Sequence, residues 1–192
     1  MALPQKAEQL FTYHDYLTWQ DDQRWEIIDG VAYAMSPAPK IKHQNIVGNF
    51  YLQIKTHPNN PCYTGIAPTD VVLDEYNVVQ PDVFVVCDKK KITEDNIQGA
   101  PDLIIEVTSP STLLKDKREK KNLYERCRVK EYIIVYPEGD IIERFYLKGD
   151  KYTTPEVFNW DETLKLYTLN IEIKLWEVFE KKPSVSKTAS EG

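Results

Sequence analysis

Apolar and polar positions along the chain fall into two periods, one helical and one of strands. Between Ile41 and about His57, the residues Ile46, Val47, Phe50, Tyr51 and Ile54 recur at helical spacing and predict an amphipathic helix, which Pro58, Asn59, Asn60 and Pro61 end. Thr12 followed by Asp15 has the pattern of a capping box and predicts a short helix through about Trp19. The stretch "RWEIIDGVAYAMSP" holds two strand-like runs around Asp29-Gly30, a pair that tolerates the positive φ angles of a tight hairpin.

Three β-rich runs follow: "CYTGIAPTDVVLDE", "VVQPDVFVVCD" and "PDLIIEVTS". The last two are apolar on both alternating faces, the pattern of central strands covered on both sides. "PSTLLKDKREKKNLYERCRV" opens with capping residues and continues as a charged helix, and "EYIIVYP" reads as another buried strand. The remainder, through "DIIERFYLKGDKYTTPEVF" and "LKLYTLNIEIKLWEVFE", alternates like a β-meander closed by a short helix. This order predicts an α/β fold: a mixed central β-sheet flanked by helices, with an N-terminal β-hairpin and a C-terminal β-meander. Residues 1–180 are expected to form one domain, and the small, polar tail 181–192 to be disordered.

Composition narrows the function classes. A formal charge of −6 argues against a protein that coats nucleic acid by charge alone. No segment approaches the roughly 18–20 apolar residues of a membrane span, and no apolar leader opens the chain, so a cytoplasmic protein without membrane partners is expected. Cys62, Cys87 and Cys127 lack C-x-x-C spacing and sit beside apolar residues, which predicts buried free thiols and a reducing compartment.

Two acids stand out of place. Asp82 enters the apolar run "VFVV", and Glu106 sits between "LII" and "V". Burying an unpaired carboxylate costs several kcal/mol, so Glu106 calls for a cation, a metal or strong donors unless its strand lies at an edge with the carboxylate in water.

The series "WEIIDG", "MSPAPKIKHQ", "VQPDVFVV", "PDLIIEVTSPST", "DKREKKNLY" and "VKEYIIVYP" resembles a large bacterial family of restriction-endonuclease-like proteins, a branch of the PD-(D/E)-x-K nuclease superfamily. The resemblance runs from residue 11 to about 137. It implies a restriction-endonuclease-like core with a divalent metal, Mg²⁺ or Mn²⁺, held by the Asp of one strand and the Glu of the next. Asp102 and Glu106 share one strand face but stand roughly 13 Å apart along it, too far for one ion. Asp82, on the preceding run, is therefore assigned as the partner of Glu106. By resemblance, Glu26 matches the glutamate before the family's Asp-Gly turn and is a further metal-ligand candidate, and His43 matches a histidine suited to contact phosphate or metal.

The superfamily lysine two residues after the Glu is replaced here by Thr108. In this branch the following helix appears as its source by resemblance. Stepping 100° per residue from Leu113, Leu123, Tyr124 and Cys127 share one face with Lys120 at its centre, while Lys115 and Arg118 fall away from it. Lys120 is thus the candidate catalytic lysine; the alternative is a structural pair with Asp116, one turn before it.

These residues point to a metal-dependent endonuclease that hydrolyses DNA phosphodiester bonds. A nuclease-fold binding module without turnover keeps the same scaffold, while a small-molecule phosphoesterase has no motif behind it. Lys40, Lys42, residues 88–91, Lys115, Lys117, Arg118 and Lys121 are candidates for outer phosphate contacts. A homodimer is compatible with cutting both strands, although no stretch marks an interface.

Overall fold

The computed structural model describes residues 10–20, 23–35 and 38–182. Ser36 and Pro37 of the quoted "MSPAPKIKHQ" and residues 183–192 of the expected tail lie outside them.

Thr12 and Asp15 close the capping box, and Thr12 starts α1 (Tyr13–Tyr16), shorter than expected. The hairpin β1 (Trp25–Ile28) and β2 (Val31–Ala34) turns at Asp29 and Gly30, whose φ angles are 51° and 75°. α2 (Ile41–Thr56) buries Ile46, Val47, Phe50 and Ile54, the predicted apolar face.

Two of the β-rich runs break into separate strands. "CYTGIAPTDVVLDE" gives β3 (Tyr63–Ile66) and β4 (Val71–Asp74), and "VVQPDVFVVCD" gives β5 (Asn77–Val79) and β6 (Val83–Val86). Each break falls at a proline, Pro68 or Pro81, which has no N–H for a ladder. After each break the chain is in a different sheet. A five-stranded sheet has the order β2-β1-β5-β4-β7, with β7 at Ile97–Gln98. The larger sheet contains β3 and β6, then β8 (Leu103–Val107), β9 (Glu131–Tyr136), β10 (Ile141–Lys148) and β11 (Lys151–Tyr152), in the order β11-β10-β9-β8-β6-β3. β12 (Glu156–Asn159) also pairs with β10.

β8 and β9 are parallel, so a crossover must join them. It consists of α3 (Leu113–Lys115), a π-helical segment Asp116–Lys120 and α4 (Lys121–Arg126). The C-terminal part of the expected meander separates as the hairpin β13 (Thr163–Leu166) and β14 (Ile171–Lys174), followed by α5 (Leu175–Val178).

Strand alternation divides the core between the faces of the larger sheet. Leu103, Ile105 and Val107 pack with α2, the β13–β14 hairpin and α5, whereas Ile104 packs with Phe84, Leu123 and Tyr124 on the opposite side. Glu106 has the parity of Ile104 and meets the helical crossover. Gly65 is required opposite Phe84, because an added Cβ would stand 2.1 Å from the phenyl ring.

The expectation of three free thiols is corrected. Tyr63 pairs with Val86, which sets Cys62 against Cys87, and the two form a disulfide with Cα atoms 4.4 Å apart. Cys127 is free, and burial raises its pKa to about 11. No helix among the described residues is long and apolar enough to cross a membrane.

Candidate active site

β6 and β8 run antiparallel with Val83 opposite Ile105, so one further step places Asp82 against Glu106. The connection is direct: the Val107 N–H donates to Asp82 Oδ2 at 2.8 Å. Asp102, at the start of β8, has separate work, accepting the Cys87 N–H at 2.7 Å and Lys130 Nζ at 2.6 Å. The two Pro-Asp pairs of the sequence therefore occupy different ends of the strands.

Glu106 is buried, and its Oε1 accepts from Lys120 Nζ at 2.8 Å and from the Tyr124 hydroxyl at 2.7 Å. Oε2 takes part in neither bond. Lys120 also lies 2.7 Å from Glu26 Oε1, to which the Gln80 N–H donates at 3.1 Å. Glu26 Oε2 accepts from Lys115 Nζ at 2.7 Å. Both oxygens of the fully buried Glu26 are thus engaged by lysines and main chain. Asp116 is buried beside this group, but Lys120's ion pairs are with Glu26 and Glu106, not with Asp116.

The π-helical segment accounts for the lysine geometry. On an ideal α-helix Lys115 and Lys120 point about 140° apart. A π turn closes at i to i+5, bringing residues five apart onto neighbouring positions. Lys115, which the 100° wheel directed away from the buried face, therefore shares Glu26 with Lys120. The signal missed in the sequence was this change of period; Tyr124, by contrast, lay on the same predicted face as Lys120.

His43, in the first turn of α2, faces Asp82 from the other side, with Nε2 3.4 Å from Oδ2. Among the described residues its buried Nδ1 has no hydrogen-bond partner. Burial disfavours the imidazolium, but the Asp82 carboxylate outweighs it and holds the His43 pKa above the usual value. Thr108, at the position of the expected lysine, turns its hydroxyl to the Val135 carbonyl at 3.0 Å.

Glu26, His43, Asp82, Glu106 and Lys120 all line one pocket of about 670 Å³, together with Lys115 and Asp116. The carboxyl groups of Glu26, Asp82, Glu106 and Asp116 are crowded there around Lys120 and Lys115, with His43 beside Asp82; Arg24, Lys40, Lys42 and Glu138 also line the pocket. Burial pushes Glu106 up to about 8, aided by the charges of Asp116, Asp82 and Glu26 and opposed by Lys120. Burial likewise raises Asp116. Glu26 is buried as well, yet Lys120 and Lys115 hold it down to about 2. Burial acts against the Lys120 cation, but Glu106, Glu26 and Asp116 raise its pKa well above the ordinary lysine value. Lys120 is consequently a hydrogen-bond donor and a fixed positive charge, not a base.

This donor set fits a hard divalent cation. Such an ion relieves the crowding of these carboxyl groups, and Asp82 with Glu106 Oε2, which takes neither the Lys120 nor the Tyr124 bond, offers oxygen ligands from adjacent strands. Among the described residues, no group of three His, Cys, Asp or Glu side chains is already arranged around a metal position.

The fold is that of the nuclease-like α/β proteins. A crystal structure of a putative nuclease belonging to DUF820, from Anabaena variabilis ATCC 29413, superposes with a TM-score of 0.71 over 88% of this chain and 98% of that one, at 17% identity. The sequence matches the family described as "Uma2: Putative restriction endonuclease" over residues 13–175, and the chain belongs to that family. "Uncharacterized protein slr1290" of Synechocystis sp. (strain ATCC 27184 / PCC 6803 / Kazusa) is 28% identical over 141 residues, covering 71% of this chain and 74% of its own.

Proposed function

We propose that the protein is a metal-dependent endonuclease that hydrolyses DNA phosphodiester bonds in this pocket. The observation that carries the reading is the juxtaposition of Asp82 and Glu106 on paired strands with the Lys120 ammonium 2.8 Å from Glu106. Asp82 and Glu106 would hold Mg²⁺ or Mn²⁺. When bound, the ion lowers the pKa of a water and offsets charge on the scissile phosphate. Lys120 donates to the phosphate oxygens as negative charge builds on them. Glu26, initially a candidate metal ligand, is better suited to fix Lys120 and Lys115 in place, since both its oxygens are engaged. His43, whose protonated form Asp82 favours, stands beside the proposed metal ligand at the start of α2.

A second reading, a nuclease-fold binding module without turnover, is favoured by the absence of a preassembled three-ligand cluster among the described residues. The two separate on supercoiled plasmid and single-stranded circular DNA incubated with Mg²⁺ or Mn²⁺. The nuclease reading predicts strand breaks that disappear with EDTA and in Asp82→Ala, Glu106→Ala and Lys120→Ala. Breaks that persist in all three variants, or none in the wild type with either ion and either DNA, refute it.

A further inference from the structure

Several cations around the pocket are paired with the protein's own acids. Lys42 pairs with Asp140 at 2.9 Å, Lys117 with Glu143 at 3.3 Å, Arg118 with Glu119 at 3.7 Å and Lys40 with Glu138 at 3.8 Å. Lys121 lies over the Phe145 ring, 5.0 Å from its centroid. A duplex gripped by its backbone is held by lysines and arginines that each neutralise a phosphate. These side chains have partners, and the chain carries a net charge of −6. Among the described residues, these paired cations leave the pocket's surroundings little free positive charge for a duplex backbone.

Recognition is concentrated in the pocket instead. Its reactive groups lie on the floor: the Glu26, Lys120 and Glu106 side chains are 0%, 4% and 5% exposed, against 20% for Asp82. A phosphate inside a stacked duplex is flanked by paired neighbours that cannot follow it into a recess of about 670 Å³. A nucleotide freed from pairing can enter, since pockets of roughly 300–1,000 Å³ take ligands of its size. The lining also suits a whole nucleotide better than a bare phosphate. Met35, Pro39, Val47 and Pro68 offer apolar surface for a base and sugar, while Ser109 and Thr112 offer hydroxyls.

We infer that the substrate is an unpaired stretch of DNA, one nucleotide of which enters the pocket with its phosphate on the floor formed by Asp82, Glu106 and Lys120. The inference rests on the nuclease reading and specifies its substrate.

The test uses the full chain and one labelled oligonucleotide sequence in three forms: single-stranded, fully paired, and paired with a central unpaired bubble. Binding is measured in Ca²⁺ and cleavage in Mg²⁺ and Mn²⁺. The single strand and the bubble should bind at least about tenfold more tightly than the duplex, with cuts confined to unpaired nucleotides. A duplex bound and cut as well as the other two overturns the inference and leaves the nuclease reading intact. Tight binding of the single strand without cleavage in either ion supports the pocket's occupant and overturns hydrolysis. Failure to bind or cut any of the three overturns both.

Discussion

Two buried charge clusters in this molecule use similar ingredients to opposite effect. Arg144, on β10, is 2% exposed and packed between the rings of Tyr167 and Phe158, at 4.1 and 5.0 Å from their centroids. Its guanidinium donates to Glu156 and to the Lys165 carbonyl, and lies 3.9 Å from Glu131. Glu131 in turn accepts the Tyr167 and Thr168 N–H groups at 3.3 and 3.0 Å. Burial raises the Glu131 pKa just as it raises that of Glu106. The surroundings differ. Arg144 has its donors matched and its faces covered by aromatic rings, whereas the Lys120 cluster borders a cavity. A buried ion pair is therefore not by itself a functional sign; one that opens on a pocket is.

Substitutions can separate the two. Lys120→Ala should lose metal-dependent cleavage by about 10²-fold or more, read from initial rates, because it removes the donor nearest the reacting phosphate. Arg144→Ala should instead lower unfolding stability by about 3–5 kcal/mol in a denaturant titration, since it leaves Glu131 buried without its cation. Its cleavage rate per folded molecule should match the wild type. Equal loss of rate in both variants would erase the distinction drawn here.

Two smaller effects sharpen it. Lys115→Ala should slow cleavage about tenfold, because Lys115 pairs with Glu26 and not with Glu106, and its loss leaves Lys120 in place. Asp102 belongs to neither cluster and marks the low end. Burial acts to raise its pKa, but Lys130 and the Cys87 N–H lower it below the usual carboxylate value. A depressed folded-state pKa gives stability that is present above the unfolded pKa and lost as pH falls through the folded one. Asp102→Asn should therefore cost about 1 kcal/mol at neutral pH, the partner Lys130 being largely exposed. The cost should vanish in acid, as paired urea titrations at the two pH values would register.

The history of these residues shows what a linear pattern can carry. The α2 face, the Asp29-Gly30 turn and the buried strand around Glu106 followed from periodicity and turn chemistry, because these depend on neighbours in sequence. The partnership of Asp82 with Glu106 followed from a distance limit along a strand, and the register of β6 with β8 provides that juxtaposition. Lys115 was misplaced because a wheel of constant pitch has no π turn. The division into two sheets at Pro68 and Pro81, and the pairing of Cys62 with Cys87, depend on which strands meet across the fold. No local spacing encodes those contacts.

The central claim is that the cluster opening on the pocket holds a divalent cation and the enclosed one does not. Titration of Mn²⁺ into the metal-free protein, followed by calorimetry, tests it without reference to activity. The account predicts one Mn²⁺ site in the wild type, retained in Arg144→Ala and lost in Asp82→Ala. Undiminished binding in Asp82→Ala, or no Mn²⁺ binding by the wild type, would contradict it.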